Sequence, residues 1–155
     1  MVVRTMLPYT KVVRKPRIQE IPANPQTLID HLLKVRLKRG LSQHAVGRLL
    51  GLSKDCVSLW ETGKFKPLIY LYPKILAFIG YYPFIHETES IAGKLQQLLN
   101  CNGWSHKEAA KALGIDSGTV KRILHGQKTL KKNDNIILRL WSLLPDYLKQ
   151  PYRLL

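Results

Sequence analysis

A run of 25 residues occurs twice in this chain, 63 positions apart and in register without a gap. Residues 39–63 read RGLSQHAVGRLLGLSKDCVSLWETG and residues 102–126 read NGWSHKEAAKALGIDSGTVKRILHG. Six positions are identical: Gly40/Gly103, Ser42/Ser105, Leu50/Leu113, Gly51/Gly114, Val57/Val120 and Gly63/Gly126. Average composition gives roughly one or two such matches by chance. The shared residues are serines suited to helix starts, glycines suited to turns, and aliphatics suited to a core. In a chain of 155 residues this period predicts two small units on one plan. Each is near the size at which a helical core suffices without disulfides or metal.

Apolar spacing places every element of that plan on a helix. Thr27 precedes a periodic run, Leu28, Leu32, Val35 and Leu37, which stops before Gly40. Ser42 caps a second helix reaching Leu50. Gly51 supplies a turn, Leu52 fills the angle, Ser53 caps a third helix up to Glu61, and Gly63 ends it. A closing helix begins near Pro73, a favoured first-turn residue, and buries Ile75, Leu76, Phe78 and Ile79. After a short linker at residues 82–89 the second copy follows, with a first helix over about residues 90–101. Its second helix opens on a Ser105–Glu108 capping box, Gly114 is the turn, and Ile115 is the plug. Asp116 caps a third helix to His125, and residues 135–144 close the unit. The tail, residues 145–155, is apolar enough through Tyr147, Leu148, Tyr152, Leu154 and Leu155 to pack on the rest. No segment reads as a strand. The expected fold is all-α, with two tandem helix-turn-helix domains at 27–85 and 86–155 behind a basic, Pro-punctuated arm at 1–26.

The core spacing carries the functional argument. A helix-turn-helix holds two helices at a sharp angle so that the second lies in the major groove of DNA. That angle needs a small residue where the helices cross, here Gly47 and Ala110, and a permissive turn four residues on, Gly51 and Gly114. Buried aliphatic and aromatic residues must follow at fixed offsets. Val46, Leu50, Leu52, Val57 and Trp60 fill them in the first repeat, and Ala109, Leu113, Ile115, Val120 and Ile123 in the second. The net charge of +15 is spread along the chain as +4 over residues 1–26, +6 over 27–85 and +5 over 86–155. Such an excess suits a polyanionic partner, of which nucleic acid is the usual one.

Other classes find little support. Cys56 and Cys101 do not occupy equivalent repeat positions and read as reduced thiols of a cytosolic protein. Cys56 on the third helix reads as a small filler or, alternatively, a redox-sensing thiol. The N-terminus lacks the apolar core of a signal peptide. Residues 68–85 carry only Lys74 as a charge, yet Pro73, Gly80 and Pro83 interrupt them, which argues against a membrane span. His31, His44, His86, His106 and His125 show no metal-ligand spacing, and no glycine-rich phosphate loop occurs. The ten acidic residues are scattered, with no pair placed for acid–base work. The expectation is a protein that is not an enzyme and takes no cofactor or metal.

RGLSQHAVGRLLGLSKDCVSLWETGKFKP at residues 39–67, followed by LYPKILAFIGY at 71–81, resembles the Xre or phage-repressor-like (lambda-repressor-like) helix-turn-helix family. The resemblance rests on the Leu41-Ser42-Gln43 opening, the Trp60-Glu61-Thr62-Gly63 exit and the spacing of Pro67 and Pro73. It covers residues 28–82. The second repeat fits the frame but lacks the Trp-Glu exit. By this resemblance Gln43 holds a phosphate at the start of the second helix, and Ser53, Lys54, Asp55 and Ser58 face base edges. Leu59 can touch a thymine methyl, while Lys64 and Lys66 grip the backbone. Short polar side chains suit base edges, and lysine adds salt-sensitive phosphate affinity. Asp55 repels phosphates unless it accepts from a cytosine amino group; it also favours a helix N-terminus. In the second repeat His106 stands where Gln43 does, and the matching face carries Ser117, Lys121, Arg122 and His125. Arg122 is the candidate for bidentate guanine reading. The resemblance also implies an ion pair, Arg36 with Glu61, beneath the fold. Shifted by 63, those positions are Leu99 and Leu124, which can pack together.

The resulting expectation is a cytoplasmic, nucleoid-associated transcriptional regulator that binds duplex DNA sequence-specifically. One chain would cover two half-sites about 34 Å apart. The alternative keeps DNA binding in the first repeat and makes the second, with its tail, a module for dimerisation or a protein partner (antitoxin-like or adaptor). The chain is compatible with a homodimer. No ligand-sensing domain is visible, so no small-molecule effector is expected. The basic arm reads either as a minor-groove arm or as a non-specific tether.

Overall fold

A computed structural model describes residues 20–84 and 89–149. The chain is all-α, with no strand among the described residues. The helices are α1 (Leu28–Lys38), α2 (Gln43–Leu50), α3 (Lys54–Glu61), α4 (Tyr72–Ile79), α5 (Ile91–Asn102), α6 (His106–Leu113), α7 (Ser117–Leu124), α8 (Lys131–Ser142) and α9 (Asp146–Lys149). A short 3₁₀ turn, Ile69–Leu71, leads into α4. Sequence and structure agree closely on α1 to α7. The main difference is α8, which starts four residues before the expected position, at Lys131 instead of Asn135. Residues 1–19 of the basic arm, and Tyr152, Leu154 and Leu155 of the tail, lie outside the described residues.

Local chemistry explains the helix ends. Thr27 and Asp30 form a capping box at α1, with the Thr27 hydroxyl accepting from Asp30 N and the Asp30 carboxylate accepting from Thr27 N. Ser42, Ser53, Ser90, Ser105 and Asp116 each accept an orphan first-turn amide. Gly51 and Gly114 adopt φ of +71° and +66° at the turns, which lets α2 and α6 end abruptly. The face that α1 buries is wider than its aliphatic spacing suggests, because His31, Lys34 and Arg36 are buried with Leu28 and Leu32 while Leu37 is only half-buried.

Two hydrophobic clusters result. The first is built by Leu28, Leu32, Val46, Leu50, Val57, Trp60 and the apolar face of α4. The second is built by Leu95, Leu98, Leu99, Ala109, Leu113, Val120, Ile123 and Ile137. They do not divide cleanly at residues 85 and 86. Cys101 on α5 and Leu148 on α9 belong to the first cluster, and Ile69 packs on the second. Tyr82, 1% exposed, accepts from Asn100 Nδ2 at 2.9 Å. Gln97 is fully buried; its amide donates to Leu148 O and its oxygen accepts from Trp141 Nε1 at 2.7 Å. Burial pushes the Cys101 thiol up to about 12, which keeps it protonated and unreactive. The units are thus joined by packed side chains and satisfied buried polar groups, with α4 lying on α5.

His31 gives this core a pH dependence. It is 2% exposed, with Nδ1 2.9 Å from the Tyr81 hydroxyl. Burial, then the neighbouring Lys34 charge, lowers its pKa below 6.5, and Asp30 opposes them only in part. The unfolded chain therefore binds more protons at mildly acid pH. Its contribution to stability is present above pH ~6.5 and is lost as pH falls toward the folded value. The thermal midpoint should drop between about pH 7 and pH 5. His31→Gln should flatten that drop, and an unchanged slope in the variant would assign it to other groups.

Candidate nucleic-acid interface

The α2–α3 pair is held closely enough that its crossing requires glycine. A Cβ at Gly47 would stand 2.9 Å from Leu52 O and 3.1 Å from Ser53 C, both backbone atoms. The equivalent Ala110 carries its methyl and is 7% exposed, so the second pair crosses with more room. Beneath α3, Arg36 Nε donates to Glu61 Oε1 at 2.6 Å and Nη2 to Oε2 at 2.8 Å. The side chains of this pair are 5% and 0% exposed. The fork is completed by Arg36 Nη1 on Leu41 O at 2.9 Å. In the second unit Leu99 and Leu124 both pack in the second cluster.

With the buried side fixed, α3 presents Ser53, Lys54 and Asp55 exposed, with Ser58 and Leu59 half-buried. Lys64 and Lys66 are exposed on the loop beyond. The Lys64 and Phe65 amides both donate to Leu59 O, so that loop starts as a continuation of α3. Ser53 is held by its cap to Cys56 N at 3.3 Å, with its hydroxyl also 3.3 Å from Cys56 Sγ. Gln43 is half-buried, and its amide donates to Glu61 Oε2 at 2.7 Å. That bond braces the buried carboxylate and leaves the second amide N–H of Gln43 available. Thr62 is exposed at the end of α3, with its hydroxyl donating to Ser58 O at 2.9 Å.

In the second unit His106, Lys121, Arg122 and His125 are exposed and Ser117 is half-buried. Ser117, Lys121 and His125 share a helical ridge at four-residue spacing. The His125 Nδ1–H donates to Lys121 O at 2.6 Å. Arg122 is less free than its position suggests. Nη2 donates to Thr119 Oγ1 at 2.9 Å, and the Thr119 hydroxyl in turn donates to Asp116 Oδ2. These bonds from Thr119 hold the Asp116 carboxyl below its usual range, with a smaller contribution from Arg122. Glu108 is likewise lowered, by the Ser105 amide it caps.

The early start of α8 adds residues that sequence patterning missed. A cleft between α7 and α8 is lined by Thr119, Arg122, Lys128, Thr129, Leu130 and Asn133. Leu130 stands at the N-cap of α8 and provides no side-chain bond, and of the first-turn amides Asn133 N turns back to Leu130 O at 2.8 Å. Asn133 is 9% exposed. A helix start without a side-chain cap, an arginine and a lysine together favour an anion. No cluster of His, Cys, Asp or Glu able to hold a metal occurs among the described residues. No helix there is long and apolar enough to cross a membrane.

No protein-family model, curated protein or solved structure matches this chain.

Proposed function

We propose that this chain binds duplex DNA sequence-specifically and regulates transcription, using two helix-turn-helix units of the Xre or phage-repressor-like kind. The observation carrying this reading is the repeated placement of α3 and α7. In both copies a capped helix follows a glycine turn, buries its aliphatic side and leaves short polar and basic side chains exposed. Ser53, Lys54, Asp55 and Ser58 on α3, and Ser117, Lys121 and Arg122 on α7, are the base-reading candidates. Leu59 offers an apolar edge to thymine. Lys64 and Lys66 beyond α3, and His106, His125 and the α8 amide cleft in the second unit, are phosphate contacts. Because α4 lies on α5, the spacing of the half-sites is set by the protein rather than by a free linker. The reading places the chain in the cytoplasm, on the nucleoid.

A second reading is favoured by one observation. Leu130, Leu138 and Leu143 on and beside α8 are 73%, 39% and 73% exposed, whereas α4 buries its apolar residues. That surface suits a second copy or a protein partner, with DNA held by the first unit alone.

Phosphate contact has a direct test in salt dependence. Affinity for a random-sequence duplex should fall linearly with the logarithm of salt concentration. Lys64→Ala with Lys66→Ala should make that slope shallower by about 1.8, or about 0.9 per phosphate lost. An unchanged slope would remove both lysines from the interface.

A further inference from the structure

A second concentration of positive charge lies on the first unit, on a face to which α3 contributes no residue. Arg39 at the end of α1, Arg48 near the end of α2 and Lys74 on α4 surround a cup of about 620 Å³. Leu49, Ala77 and Phe78 supply its apolar walls, and no acidic side chain lines it. Two of the cations are held in place. Arg39 Nη1 donates to Phe78 O at 2.9 Å, with the guanidinium 4.9 Å from the Phe78 ring centre. Lys74 Nζ donates to Leu50 O at 3.3 Å. Each bond uses one donor and leaves the other N–H groups for a ligand. Arg48 is exposed, and no hydrogen bond or ion pair of its guanidinium is found among the described residues. Leu49, 66% exposed, stands beside it.

The helix-end carbonyls account for the position of Arg39 and Lys74. They do not account for an unpaired arginine and a projecting leucine on the same rim. Three cations without a carboxylate call for an anionic ligand, and the apolar walls call for one that is also aliphatic. A DNA backbone supplies the charge but nothing for Leu49. We propose that this cup docks an acidic segment of a partner protein, in which carboxylates flank an aliphatic side chain. Since the cup includes neither α3 nor the loop after it, such a segment could bind while α3 is on DNA. Docking itself does not depend on the DNA reading.

The test uses the full chain without DNA and a short fluorescein-labelled peptide of alternating glutamate and leucine, read by fluorescence anisotropy. Substituting Arg39, Arg48 and Lys74 together by Gln should weaken binding by about tenfold or more. The charge-matched substitution of Lys107, Lys111 and Arg139 by Gln should change it by less than about threefold. Leu49→Ser, which leaves net charge unchanged, should weaken it several-fold alone. If the first triple variant does not fold, Arg48→Gln with Leu49→Ser, at two exposed positions, carries the same comparison. Equal losses in the two triple variants would mean non-specific attraction to a basic protein and would overturn the proposal. So would an unaffected Leu49→Ser variant, or a cup variant whose loss of duplex affinity exceeds that of the charge-matched control.

Discussion

Glu61→Ala alone should destabilise the chain by about 3–5 kcal/mol, whereas Arg36→Leu combined with Glu61→Leu should stay within about 2 kcal/mol of the starting protein. The single change leaves the Arg36 guanidinium buried, with Nε and Nη2 stripped of the carboxylate they share. It also takes away the oxygen that accepts from Gln43. An uncompensated buried charge is costly in a way that a missing pair is not. The double change removes both charges together, and the chain already contains that arrangement: Leu99 and Leu124 occupy the equivalent positions and pack in one core. The half-buried Gln43 amide can turn to water, which limits the residual cost. Urea unfolding of the two variants against the starting protein measures both values. A double variant as unstable as Glu61→Ala would mean that the first unit depends on the ion pair in a way the second does not.

Gly103→Ala should cost about 3 kcal/mol, against about 1 kcal/mol for Gly40→Ala at the equivalent position. Both glycines have positive φ, +68° and +63°, so alanine is strained at either. Only Gly103 is also packed: a Cβ there would meet Tyr70 Cα at 2.9 Å and Ile69 O at 3.1 Å, whereas nothing lies within 4 Å at Gly40. Subtracting one variant from the other therefore isolates the contact between the units. The difference should appear as a thermal midpoint about 4–8 °C lower for Gly103→Ala than for Gly40→Ala. Equal midpoints would mean that the units do not rest on each other at this corner.

These two cases also show what could be read from the sequence. Gly40 and Gly103 are the same residue in the same repeat position, and their turn role is legible locally. That one of them supports the other unit depends on Tyr70, distant in sequence, and no periodicity marks it. The helix starts at Ser42, Ser53, Ser105 and Asp116 were legible because capping is a matter of adjacent residues. The start of α8 was not, because Leu130 provides no cap and Lys131, Lys132, Asn133 and Asp134 carry no apolar period. The Arg36–Glu61 pair followed from a family resemblance, and the geometry bears it out. Gln43 reads as a phosphate ligand from the same resemblance, and its bond to the carboxylate of that pair is a long-range contact that spacing does not reveal. Gln97 and Asn100 look like ordinary polar positions on a helix. They are buried because α4 and the tail pack across α5, a long-range fact that spacing cannot carry.

The most direct test of the central claim is selection of bound sequences from a random duplex pool, with the starting protein beside a Lys121→Ala, Arg122→Ala variant. Two DNA-reading units predict a two-part motif of fixed spacing for the starting protein, with one part lost in the variant. The same short motif from both proteins would make the second unit a partner module. No motif from either would contradict the assignment of α3 as a reader of DNA sequence.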